Sequence, residues 1–176
     1  MKTTANFLLN KPELTDSVGV TIPALSANCD IIDAQMHKLA VVPYCFIYSN
    51  NNVAIANSAY TLIPVNTTAK DTDNMHTAGA TRLVCKTAGI YLITGCITFA
   101  ASPNGVRSTL IRVNGGLRGE NDSPAMSDYT SMNSVTTITS LAVNDYIELW
   151  AWQNNGTAIA GLMSGSGISL QAIKIG

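Results

Sequence analysis

"GIYLITGCITF", Gly89 to Phe99, decides how the rest of the chain is read. In an extended strand alternate residues share a face. Tyr91, Ile93, Gly95, Ile97 and Phe99 then line one side, and Ile90, Leu92, Thr94, Cys96 and Thr98 the other. Both sides are largely apolar, so both call for cover. One side predicts the core of a sandwich; the other is open to a neighbouring subunit.

Outward from this segment, Tyr44 to the end shows no helical periodicity. Short alternating runs recur: "YCFIYS", "VAIA", "YTLIPV", "TRLVCK", "STLIRVNG", "SVTTITSL", "DYIELWAWQ" and "ISLQAIKI". The breaks between them carry the Gly, Asn, Asp and Pro that turns require. Roughly nine short strands over this length predict an all-β jelly-roll sandwich. The longest breaks, at 66–80 and 114–134, read as connections.

The segment before it behaves differently. In "TIPALSANCDIIDAQMHKLA", Ile22, Leu25, Cys29, Ile32, Met36 and Leu39 are spaced three and four apart, the a and d positions of a heptad. Pro23 suits the first turn of a helix, which places the cap at Thr21 or Ile22. Two readings stay open: a short coiled coil that gathers copies of the chain, or an amphipathic helix packed on its own domain. The expected division is a leader and helix over 1–41 and a head domain over 42–176.

Composition narrows the classes. Of 176 residues, 47% are hydrophobic and only 12% charged, so polarity comes from Thr, Asn and Ser. A net charge of -1 gives no electrostatic pull toward nucleic acid. No apolar run is long enough for a membrane helix, so membrane insertion is not expected. Cys29, Cys45, Cys85 and Cys96 form no CxxC pair and are expected as free thiols, with a Cys85–Cys96 bridge as the alternative.

Three stretches resemble the complement globular-head family, relatives of tumour necrosis factor. "GIYLI" resembles its Gly-x-Tyr-x-Phe strand, with Ile93 in place of the aromatic. "LAVNDYIEL" is similar to Leu-x-x-Gly-Asp-x-Val-x-Leu, with Asn144 in place of Gly. "ISLQAIKIG" resembles the closing strand. The family's heads are homotrimers, which the resemblance implies here. The leader, through Lys11, Pro12, Glu13, Thr15, Asp16, Asn28, Asp30, Ile31, Ile32 and Asp33, resembles the N-terminal segment of bacteriophage tail and fibre proteins. That implies a virion component, anchored to other virion proteins by its N-terminus and displaying a head.

Candidate sites follow. In "DYIELWAWQ", Ile147, Leu149 and Ala151 share the core face, leaving Tyr146, Trp150 and Trp152 with Glu148 on the other. Large aromatics there predict subunit contact, a sugar-stacking platform, or burial under a loop. Arg118, Glu120, Asp122, Asp128 and Tyr129, in the long 114–134 stretch, are candidates for touching a host glycan or protein receptor. Asp71 and Asp73 could hold a cation, or simply belong to a polar loop. No nucleophile motif or metal-ligand spacing appears, so neither catalysis nor a cofactor is expected. The reading is a trimeric phage adhesion head; a capsid or tail decoration protein is the alternative, and a polysaccharide depolymerase the least favoured.

Overall fold

The computed structural model describes residues 2–3, 9–11, 13, 16–163 and 167–176, with backbone alone at 2–3, 11 and 37–40. The side chain of Leu39 and the leader positions Pro12 and Thr15 therefore lie outside the described residues, as does the side chain of Lys11. The chain divides into two units, Met1–Val42 and Pro43–Gly176, one residue later than the expected boundary.

The first unit holds two short strands, β1 (Lys2–Thr3) and β2 (Asn10–Lys11), paired antiparallel, and helix α1 (Val18–Ala40). The helix begins a turn earlier than the sequence reading placed it. The N–H groups of Val20 and Thr21 donate to the Ser17 carbonyl at 3.0 and 2.9 Å. Pro23 therefore sits inside the helix rather than in its first turn. The bond it cannot make would have gone to the carbonyl of Gly19, an exposed position open to water. Ala24 is buried, and Thr21, Asn28, Ile31 and Gln35 are half-buried. Asn28 anchors this face: it accepts from the Asn10 N–H at 2.6 Å and donates to the Asn10 carbonyl at 2.7 Å. The heptad stripe is a different face. Ile22 is 62% exposed and Met36 64%, with Leu25, Cys29 and Ile32 also exposed. The earlier start adds exposed Val18 to the same stripe.

The second unit is a sandwich of two antiparallel sheets. Its strands are β3 (Tyr44–Tyr48), β4 (Val53–Ile55), β5 (Thr61–Leu62), β6 (Thr67–Asp71), β7 (Arg82–Val84), β8 (Gly89–Phe99), β9 (Val106–Val113), β10 (Gly116–Pro124), β11 (Ser131–Leu141), β12 (Tyr146–Gln153), β13 (Ile159–Gly161) and β14 (Ile168–Lys174). One sheet runs β11, β8, β14, β3, β6, with β13 and β4 joined at the Phe99 end of β8. The other runs β10, β9, β12, and then β5 and β7 in succession along the far edge of β12.

The core lies between them. Tyr91, Ile93, Ile97 and Phe99 of β8 face Ile111, Ile147, Leu149 and Ala151 in one fully buried cluster. Gly95 lets the sheets pack closely: a Cβ there would fall 2.5 Å from Leu149 Cδ1. Gly89 lies under the chain end, and its Cβ would overlap the Gly176 carbonyl oxygen. One buried group was not foreseen. Arg107 is 1% exposed, and its guanidinium donates to the carbonyls of Asn104 at 2.9 Å, Val106 at 3.1 Å and Ser102 at 3.5 Å. Burial lowers its pKa, because the cation is drawn out of water.

Two breaks read as connections contain strands. β6 falls in the first, and β10 occupies much of the second, after a tight turn at Asn114 and Gly115, both with positive φ. Both are mostly exposed strands, and each lies at the end of its sheet. They lack the buried-polar alternation that marks a half-buried strand in sequence.

Candidate functional site

Each sheet turns a second face away from the core, and the candidate residues fall on these faces. On the sheet built around β8, register places Ile138, Leu92, Ile173 and Tyr44 in one row across four strands. The next row is Thr136, Thr94, Gln171 and Phe46, and the one after it Ser134, Cys96, Ser169 and Tyr48. None of these side chains is charged. The hydroxyls of Thr94 and Thr136 bond one another at 3.1 Å. Ile138 is 61% exposed and Ile90 46%. The second apolar side of "GIYLITGCITF" is thus covered unevenly, from buried Thr98 to exposed Ile90.

The opposite sheet is dressed differently. Tyr146, Glu148, Trp150 and Trp152 of β12 point outward, as the alternation requires, with Ile147, Leu149 and Ala151 fully buried behind them. Arg112 stands directly opposite Glu148 on β9, and Arg82 opposite it on β7. The Arg112 guanidinium lies 4.6 Å from the Trp150 ring centre and 4.8 Å from that of Tyr60, between the two rings. Arg82 covers Tyr146 at 4.7 Å. The indole N–H of Trp150 donates to Glu148 Oε2 at 3.2 Å. Beneath this layer Ser108, Leu110 and Glu148 are buried. The aromatic wall roofs a small second core, and the buried Arg112 Nε has no hydrogen-bond partner among the described residues.

The structure brings two sets of candidate residues onto this one face. Glu120 is paired with Leu110, which is paired with Trp150; Asp122 is paired with Ser108, which is paired with Trp152. Both carboxylates are exposed. Arg118 sits at an irregularity between Leu117 and Gly119 and donates to the Leu117 carbonyl at 3.1 Å. Asp128 and Tyr129 lie past β10 in the exposed 125–130 connection, where Asp128 accepts from the Ser127 hydroxyl at 3.0 Å.

Asp71 organises its loop. Its carboxylate accepts the N–H groups of Asp73 and Met75, each at 3.1 Å, and of His76 at 2.8 Å. Asp73 accepts from the Thr87 hydroxyl at 3.2 Å. His76 is held at both ring nitrogens, by Thr68 Oγ1 at 2.7 Å and the Ala80 carbonyl at 3.0 Å. Among the described residues no group of three or more His, Cys, Asp or Glu side chains is gathered as a metal site. All four cysteines are free. Burial raises the thiol pKa of Cys45, Cys85 and Cys96, which weakens them as nucleophiles.

The motif residues acquire physical reasons. The Tyr91 hydroxyl donates to the Thr87 carbonyl at 2.6 Å. Asn144 has φ +75°, a left-handed conformation that glycine adopts freely and asparagine tolerates. Asp145 next to it accepts from the Asn114 side-chain amide at 2.7 Å and the Ala142 N–H at 2.8 Å, and these bonds depress its pKa. The head matches murine APRIL at pH 5.0 with a TM-score of 0.62, at 14% identity, over 76% of this chain and 99% of that one. It has the tumour-necrosis-factor-like fold. The tumour-necrosis-factor-like head also matches the globular domain of zebrafish complement 1qA, with a TM-score of 0.54 and 11% identity over 76% and 98% of the two chains. Eiger TNF from S. frugiperda matches with a TM-score of 0.52 and 14% identity over 77% and 93%. No protein-family model matches the sequence, and no curated protein matches it.

Proposed function

We propose that the chain is a bacteriophage virion protein in which three copies present their tumour-necrosis-factor-like heads for adhesion to a host surface. In this reading residues 1–41 attach and trimerise, and the head is displayed in multiple copies, so that weak contacts multiply. The observation that carries it is the heptad stripe of α1, from Val18 through Met36, whose apolar side chains are exposed among the described residues. An apolar a/d seam is stabilised by burial against copies of itself.

The outer rows of the β8 sheet across β11, β8, β14 and β3, with Lys70 of β6 only at their edge, carry no charged side chain and support the same assembly, since depletion of charge marks the core of protein contacts. We favour these rows for the head contact over Tyr146, Trp150 and Trp152, because arginines of the same chain already cover Tyr146 and Trp150. Adhesion requires no covalent step. Glu120 and Asp122, two apart on β10, lie side by side on one strand face rather than across a groove.

Light scattering on the full chain tests the assembly: a three-chain mass is expected, and a single-chain mass at micromolar concentration overturns it. Binding of the labelled assembly to host cells tests adhesion. Capture by the virus particle alone would instead make the chain a decoration protein.

A further inference from the structure

The outer face of the β12 sheet carries more than a roof. Trp152 is half-buried, and among the described residues no cation lies over its ring as Arg112 lies over Trp150. It stands two residues from Trp150 on the same face, so the two indoles are neighbours about 7 Å apart along the strand. Across the buried Ser108 from Trp152 lies Asp122, and across the buried Leu110 from Trp150 lies Glu120. Each carboxylate is two strands from its indole, a separation of about 10 Å. Neither has a hydrogen-bond partner among the described residues, and both are exposed.

We propose that this face binds an oligosaccharide of neutral pyranose units, with Trp152 as the stacking surface and Asp122 and Glu120 as hydroxyl acceptors. A pyranose ring offers an axial C–H face that packs on an indole, and equatorial hydroxyls at its rim that donate to carboxylates. Ser108 and Leu110 are buried between them, so the ring lies on the outer surface of Trp152 with the exposed carboxylates at its rim. The same carboxylates disfavour an anionic ligand beside Trp152. Arg112 serves as a positioning residue: clamped between Tyr60 and Trp150, it holds the platform rigid and lowers the entropy lost on binding. The proposal deepens the adhesion reading and rests on it for biological meaning, though the site can be tested apart from it.

The test is titration of the full chain with neutral glucose, galactose and N-acetylglucosamine oligosaccharides up to millimolar concentration, read by tryptophan fluorescence and by saturation-transfer NMR. Saturable binding is expected for at least one. Trp152→Ala should weaken it about tenfold or more, the loss of one stacking surface, and Asp122→Asn should weaken it less. Far-UV circular dichroism and light scattering establish that each variant keeps fold and mass; if Trp152→Ala fails to fold, Trp152→Leu replaces it. No binding by the folded wild type, or equal binding by the Trp152 variant, overturns the site. Host-cell binding separates the two readings. If wild type and Trp152→Ala adhere equally and neither binds sugar, adhesion stands and this site falls. If the wild type binds sugar through Trp152 but no cell, the site stands and adhesion falls.

Discussion

The head has two outward faces, and they dispose of apolar surface in opposite ways. On the β12 sheet the aromatics are covered from within: Tyr60, Arg112 and Trp150 stack, Arg82 lies over Tyr146, and Glu148 is buried between the arginine positions. On the β8 sheet the row Ile138, Leu92, Ile173 and Tyr44 contains no charged side chain. A face that satisfies its own aromatics with its own arginines is fit to stand in water. A face of aliphatics and hydroxyls without charge gains from a partner of the same kind. Composition alone does not separate them, because aromatic and aliphatic residues look equally in need of cover until their neighbours across the strands are known.

The sharpest way to break this contrast is to charge the uncharged face. Leu92→Lys should reduce the mass in light scattering from three chains to one, because an ammonium at the centre of a buried contact costs several kcal/mol. A three-chain mass for this variant would remove the face from the assembly. Next in size is a change that touches neither face. Arg107→Met leaves the carbonyls of Ser102, Asn104 and Val106 without their donors inside the sandwich. It should lower unfolding stability by about 3 kcal/mol in denaturant titration. The assembly mass should be unchanged under native conditions.

On the self-covered face, Arg112→Gln should cost about 1 kcal/mol, the range of a cation stacked on partly exposed rings. It should leave the three-chain mass intact, in contrast to Leu92→Lys; a fall in mass would show that the aromatic wall, too, is a subunit seam. The smallest effect concerns pH. The folded pKa of Asp145 is depressed below its unfolded value by the Asn114 amide and the Ala142 N–H. The stability this confers is fully present above the unfolded value and is lost as pH falls through the folded one. The difference in stability between wild type and Asp145→Asn should therefore shrink in strongly acid solution.

Much of the sandwich was legible because burial writes a period of two. The two faces of β8 were separated, though not told apart, and the inward set of β12 was named, since alternate residues share a face. Gly89, Tyr91 and Asn144 were legible through resemblance, and each has a local cause: a crossing chain end, a hydroxyl bound to a carbonyl, a left-handed turn. β6 and β10 were not legible, because a mostly exposed strand bears no periodic mark. The start of α1 was misplaced because proline was given its commonest position, while the exposed Gly19 carbonyl tolerates the missing bond.

By itself, then, the order of residues determined which side chains share a strand face and which share a helix stripe, since those depend only on backbone periodicity. Which strands lie side by side was left to the tertiary structure. Only that pairing set Arg112 between Tyr60 and Trp150, put Asp122 and Trp152 on opposite sides of Ser108, and drew the uncharged row across β11, β8, β14 and β3. The reason is physical: cross-strand neighbours are far apart in sequence, and the contacts that select them are made only when the two sheets close on their core.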